Sequence, residues 1–202
     1  YKVAFSRRYR NTKANFLVQE MDADEGVQFC AVTFLLGNGD TFLSFRGTDD
    51  ALIGWKEDFY MAYRTPVGAQ LRSTEYVHQV AKLLARKRNL RFYLGGHSKG
   101  GNLAVYAAMS CEENVKHRIG KIYNMDGPGF RPDFIQTLDY AGVKDKILKI
   151  VPDESFVGML MEQKDDYELI KSTEIGVQQH ICFSWCVEGD HFERSEVSQP
   201  KR

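Results

Sequence analysis

The spacing of apolar residues changes several times along the chain, and each change marks an element. Residues 27 to 36 (VQFCAVTFLL) form a β-branched and aromatic run. The turn Gly37-Asn38-Gly39-Asp40 follows it, then TFLSFR at 41 to 46, so the two runs predict a hairpin. A shorter run at 15 to 21 (NFLVQEM) predicts a strand ahead of them. Between 73 and 87 the period lengthens. Val77, Val80, Ala81 and Leu84 recur at helical spacing, with Ser73 or Thr74 placed to cap the start. Residues 91 to 95 (RFYLG) predict a short strand, and 101 to 109 (GNLAVYAAM) a helix of small side chains. IGKIYNM at 119 to 125 and KILKIVP at 146 to 152 predict two more strands. Residues 131 to 142 are helix or loop, and the last 20 or so are a strand or loop running into a loose tail over 195 to 202.

After the opening hairpin, strands alternate with helices. This argues for an α/β fold with a mainly parallel central sheet, helices on both faces and an N-terminal antiparallel hairpin. The expected organisation is one domain over residues 1 to 202, with no internal repeat or long linker. Such a length is enough to bury a proper core. The chain begins at Tyr1 rather than Met, which leaves room for an upstream segment.

Composition narrows the classes. The 27 basic and 27 acidic residues cancel, so charge gives no reason to expect a nucleic-acid or anionic-membrane partner. The cluster Arg86, Lys87, Arg88 and Arg91 is a solvated helix end. Cys30, Cys111, Cys182 and Cys186 include no CxxC pair, and no Cys/His set has zinc spacing. Cys30 and Cys182 lie in apolar surroundings and read as small core residues. A reduced, cytoplasmic setting is expected. No transmembrane segment or signal peptide is visible.

The main chemical signal is Gly95-Gly96-His97-Ser98-Lys99-Gly100-Gly101, which contains G-x-S-x-G between an apolar strand and an Ala-rich helix. That context is the nucleophile elbow of an α/β-hydrolase. A sharp turn exposes the Ser98 hydroxyl, and the glycines on either side let strand and helix pass closely. The Lys99 side chain should point away, leaving its backbone N–H as an oxyanion donor at a helix N-terminus. His97 reads as structural.

A serine hydroxyl needs a base, and the base needs a carboxylate to hold its tautomer. The chain order in this fold is serine, acid, histidine. Of the histidines after Ser98, His117 comes too early, His180 lies in an apolar stretch, and His191 follows Gly189-Asp190 as a turn residue. His180 is the favoured base and His191 the alternative. Asp126 ends a strand ahead of the rigid Gly127-Pro128-Gly129, and Asp153 ends the next strand. Asp126 is the favoured acid; Asp153 and Glu154 stay open.

The pair SFRGTDD (44 to 50) and GGHSKGGNLA (95 to 104) resembles class 3 lipases. The resemblance is closest to a bacterial group of lipase-like α/β-hydrolases labelled DUF2974. NMDGPGF (124 to 130), VPDESFVGML (151 to 160) and QQHICFSW (178 to 185) fit that group too, so the similarity spans residues 27 to 195. It implies that Thr48, after Arg46-Gly47, carries the second oxyanion donor. For the acid it gives two answers. Asp126 is placed like the acid of pancreatic-type lipases. Asp153 stands where class 3 lipases keep theirs, although alignment on Val157 puts Ser155 at that position. Arg46 could brace its loop against Asp58, and 51 to 63 (ALIGWKEDFYMAY) could form a short lid or acyl-contacting loop. The function implied is cleavage of a small or medium carboxylic acyl ester, rather than triglyceride, through an acyl-enzyme, with neither metal nor organic cofactor. A thioesterase, amidase or acyltransferase with the same residues is the alternative, as is an inactive binding module of the same fold.

Overall fold

The computed structural model describes residues 5–48, 61, 65–86, 90–161 and 167–196. The hairpin pattern becomes β2 (Val27–Leu35) and β3 (Thr41–Phe45), joined by the Gly37–Asp40 turn. In β3, residues 41, 43 and 45 are buried and 42 and 44 half-buried, the period of a strand with one face in the core. β1 (Lys13–Asp22) pairs antiparallel with β2 and forms one sheet edge.

The chain then runs through α1 (Gly68–Leu83), β4 (Phe92–His97), α2 (Lys99–Ser110), the single turn α3 (Glu113–Lys116) and β5 (Ile119–Met125). After the single turn α4 (Pro132–Ile135) come β6 (Ile147–Pro152) and β7 (Tyr167–Ile170). A two-residue ribbon, β8 (Val187–Glu188) with β9 (His191–Phe192), closes the described chain. The seven-stranded sheet follows sequence order from β1 to β7, and β3 to β7 are parallel. From β3 onward each crossover returns the chain to the next position in the sheet, so consecutive strands lie side by side. The expected antiparallel opening and mainly parallel centre are both present.

α1 and α2 pack against each other, α2 over β3 to β5 and α1 over β2. The core lies beneath them: Leu43, Phe45, Phe92, Leu94 and Ile122 from the strands meet Val77, Leu103, Ala104 and Ala107 from the helices. Each is almost wholly removed from water, worth about 1.5–3 kcal/mol per large side chain before entropy is counted. The alanines of α2 keep it close to the sheet.

Three details differ from the sequence expectations. Helix α1 starts five residues earlier than Ser73, because the Gln70 side chain accepts the Val67 N–H at 3.0 Å and satisfies the helix start. Ser73 is buried in the second turn, donating to the Gln70 carbonyl. Strand β7 was not anticipated; its four residues, YELI, are too few to show a period. Cys182 is exposed rather than core, since its short turn lies on the surface, whereas Cys111 is buried. All four cysteines are free thiols. The lid candidate at 51–63 and the partner Asp58 lie outside the described residues, apart from the buried Met61. Among the described residues, no helix is long and apolar enough to cross a membrane.

Candidate active site

Ser98 joins β4 directly to α2 with φ 57° and ψ −132°, a strained backbone for a residue bearing a side chain. The strain is held by backbone on every side. Its N–H donates to the Met125 carbonyl at 2.9 Å, and its carbonyl accepts the Gly101 N–H at 2.9 Å. A side chain on Gly100 would put a carbon 2.2 Å from the Phe45 carbonyl oxygen, and one on Gly96 would put it 2.4 Å from the same atom. The end of β3 thus lies directly on the elbow. The chain passes on through Gly47, where an added carbon would meet the Ser98 Cβ at 3.3 Å, so Thr48 follows a residue that abuts the serine. The Lys99 side chain turns away as expected. It is buried, with Nζ donating to the Gln28 carbonyl at 3.2 Å.

Asp126 follows β5, the neighbour of β4, so Ser98 and Asp126 occupy adjacent strand ends. Such carboxyl ends are where ligands collect in parallel sheets. Asp126 is wholly buried and has φ 52°. Its N–H donates to the Ile150 carbonyl at 2.8 Å. The bend after it is tied by Asn124, whose Oδ1 accepts the Gly127 N–H, and by Asn102, whose Nδ2 donates to the carbonyls of Pro128 and Gly129.

Among the described residues, two side chains bond the carboxylate. His180 Nδ1–H donates to Oδ2 at 2.7 Å, and Ser155 Oγ donates to Oδ1 at 2.5 Å. Ser155 in turn accepts the Gly158 N–H at 3.0 Å. His180 closes the short helical turn 176–180 and is partly open to solvent. Side chains hold that turn in place. Gln179 Oε1 accepts the Glu154 N–H at 2.9 Å, Glu154 Oε2 accepts the Gly176 N–H at 2.9 Å, and Trp185 Nε1–H donates to the Gln179 carbonyl at 2.8 Å.

Of the proposed catalytic residues, the fold pairs His180 with Asp126 and sets Asp126 beside the Ser98 elbow. No hydrogen bond joins Ser98 to His180 among the described residues; such contacts are often loose in a free enzyme. Asp153 turns elsewhere, its carboxylate accepting from Ser195 Oγ at 2.8 Å. His191 is exposed on the β8–β9 ribbon beside Asp190. Residues that sequence reasoning passed over are Asn102, Asn124 and Gln179. For Asn102 and Asn124 the signal was faint, an amide beside apolar residues, which is buried only when its hydrogen bonds are met; Gln179, between Gln178 and His180, gave none.

His97 contacts the candidate base directly. Its Nε2 lies 2.7 Å from the His180 carbonyl oxygen, and the two rings are 4.5 Å apart. Burial, and after it the nearby His180, hold the His97 ring below the usual histidine range, while its bond to that carbonyl pulls the other way.

The chain belongs to the Mbeg1-like family, whose model matches residues 3–200. Among solved structures it is similar to a fungal lipase–inhibitor complex described as a model for interfacial activation. The TM-score is 0.59 at 16% identity, over 81% of this chain and 68% of that one. It is also similar to the Rhizomucor miehei lipase–propeptide complex, with TM-score 0.58 and 17% identity, over 79% of this chain and 57% of that one. For a triacylglycerol lipase from Penicillium expansum the values are 0.53 and 10%, over 79% and 71%. No curated protein matches the sequence. At these identities the comparison speaks for the fold, and in the fold the likeness to lipases is borne out. The chain spans little more than half of the Rhizomucor lipase.

Proposed function

We propose that this Mbeg1-like chain is a serine hydrolase that cleaves carboxylic esters through an acyl-enzyme. The observation that carries the reading is the 2.7 Å bond from His180 to the fully buried Asp126, at the strand end beside the strained Ser98 turn. A buried carboxylate holding one ring nitrogen sets the tautomer and leaves the other nitrogen basic.

Ser98 Oγ attacks the ester carbonyl and His180 Nε2 takes its proton. The tetrahedral oxyanion is stabilised by the N–H groups of Lys99 and Thr48. His180 returns the proton to the departing alcohol, leaving an acyl-serine. Water attacks that ester, gives a proton to the same nitrogen and releases the acid, and Ser98 regains its proton.

The acyl group is apolar on this reading. Phe156, Ile175, Val177, Ile181 and Phe183 are 63%, 78%, 69%, 54% and 96% exposed, and all sit on the segments beside Ser155 and His180. Exposed apolar side chains on segments flanking the candidate base are the ones available to meet an acyl chain. Two of the similar structures are described as lipases and one as a triacylglycerol lipase, which agrees with an ester of this kind.

The test is labelling by a fluorophosphonate together with turnover of p-nitrophenyl esters of increasing chain length. The wild type should be labelled and turn over, and Ser98→Ala should do neither while unfolding at the same temperature. An unlabelled wild type, or a Ser98→Ala variant with full turnover, sinks the assignment.

A further inference from the structure

The acyl-transfer steps give His97 no task, yet its ring joins the nucleophile's strand to the base. It is the last residue of β4, directly before Ser98. A carbonyl oxygen can only accept, so the proton in the 2.7 Å contact sits on His97 Nε2 and is donated to the His180 carbonyl. The rings lie at 34° to each other, and the Trp185 ring meets His97 edge-on at 5.9 Å.

His180 is thus held at two points. Its side chain is anchored on Asp126 through Nδ1, and its peptide is anchored on His97 through the carbonyl. With the first anchor alone the ring can pivot about the bond to Asp126. That pivot swings Nε2 without breaking anything. A second anchor on the backbone fixes the direction of the Cα–Cβ bond and removes the pivot. The need is local, because the residues around His180 form short helical turns rather than a strand in the sheet.

We propose that His97 is a positioning residue for the base, its Nε2–H fixing the His180 backbone so that the ring spans from Asp126 to Ser98. The inference rests on the reading of Ser98, Asp126 and His180 as a catalytic set. One residue step then separates the group that sets the base from the nucleophile it serves, so both move together with the end of β4.

Two variants test this. His97→Phe keeps a ring against His180 and Trp185 but has no donor. His97→Gln offers an amide N–H close to where Nε2 stood. With p-nitrophenyl butyrate, His97→Phe should lower kcat by about tenfold to a hundredfold, the scale of a small misplacement, with KM within about twofold. His97→Gln should recover most of it. The proton shared by His180 Nδ1 and Asp126 gives a downfield NMR signal that needs no substrate; it should broaden or vanish in His97→Phe and return in His97→Gln. Wild-type kcat and signal in His97→Phe overturn the proposal, as does a Gln variant no better than Phe. Should the wild type neither turn over nor take up the fluorophosphonate, the hydrolase reading fails, and the NMR signal alone decides whether His97 orders His180. Should His97→Phe not fold, His97→Asn replaces it: its amide is one bond shorter, so it should behave as the Phe variant, and equality with Gln overturns the proposal.

Discussion

The two halves of the candidate site are built from different materials. The nucleophile half, from the end of β3 through the elbow to the end of β5, is backbone set against backbone. The Phe45 carbonyl lies on Gly96 and Gly100, and the Ser98 N–H reaches the Met125 carbonyl. The base half, the turns at 153–155 and 172–186, adds side-chain clamps to a few backbone bonds. Gln179 and Glu154 grip each other's segments, Trp185 holds the Gln179 carbonyl, and Ser172 and Ser184 share a 2.8 Å bond. Backbone contacts in the middle of a sheet open only with global unfolding, whereas a loop clamped by side chains can open by itself. The strained serine is therefore placed in the more rigid half, and His180 on a segment whose order depends on its clamps, the His97 contact among them.

The contrast can be broken most severely at Gly100. In Gly100→Ala the new carbon would sit 2.2 Å from the Phe45 carbonyl oxygen, and backbone cannot yield as a side-chain tip does. No folded protein should be recovered, as read by circular dichroism of the purified chain. Asp126→Asn leaves the elbow standing and spoils the base. The amide can hold the wrong tautomer, so kcat on p-nitrophenyl butyrate should fall by about 10⁴ with little change in melting temperature. Gln179→Ala should act on the base half alone. It leaves the Glu154 N–H without its acceptor, at a cost of about 1–3 kcal/mol. Hydrogen exchange should rise over 174–186 and stay unchanged over 92–110.

The seam between the halves gives a pH effect. The folded-state pKa of His97 lies below its unfolded value, so folding is unaffected well above about pH 6.5. As pH falls through that value the unfolded chain binds a proton that the folded chain refuses, and stability drops until the folded ring itself titrates. His97→Gln, which cannot titrate, should flatten this part of a stability-versus-pH curve. The smallest effect is expected at Phe183, which is almost entirely in solvent. Phe183→Ser should leave stability within about 0.5 kcal/mol while lowering kcat/KM for the longer esters more than for the acetate.

The same contrast explains what could be read in advance. The elbow announces itself because its rigidity needs particular residue types at fixed spacing: glycines at 96 and 100, small residues along α2. Two β-branched and aromatic runs around the turn at 37–40 declare the hairpin, and strand order follows from short crossovers between β4 and β6. The neighbouring positions of Ser98 and Asp126 follow from that order. The base half left little trace. Gln179 and Glu154 look like surface residues until the fold brings them together, and β7 is too short for a period. The choice between Asp126 and Asp153 needed a side-chain direction, which no spacing contains. Ser155 illustrates the point. Alignment with class 3 lipases puts it at the acid position, and in the fold its hydroxyl donates to Asp126 one strand away.

The sheet order, β1 through β7 without a single jump, bears on how the molecule comes into being. Each strand pairs with the one made just before it, although the parallel pairs, β3 with β4 above all, join segments well apart in the chain, which slows folding. A chain emerging from the ribosome can add strands to one growing edge and never has to insert one between two already paired. The elbow forms once β4 and α2 are out, Asp126 with β5, and His180 only after β7. Any catalytic competence therefore arrives last, when the sheet that must contain it is already complete.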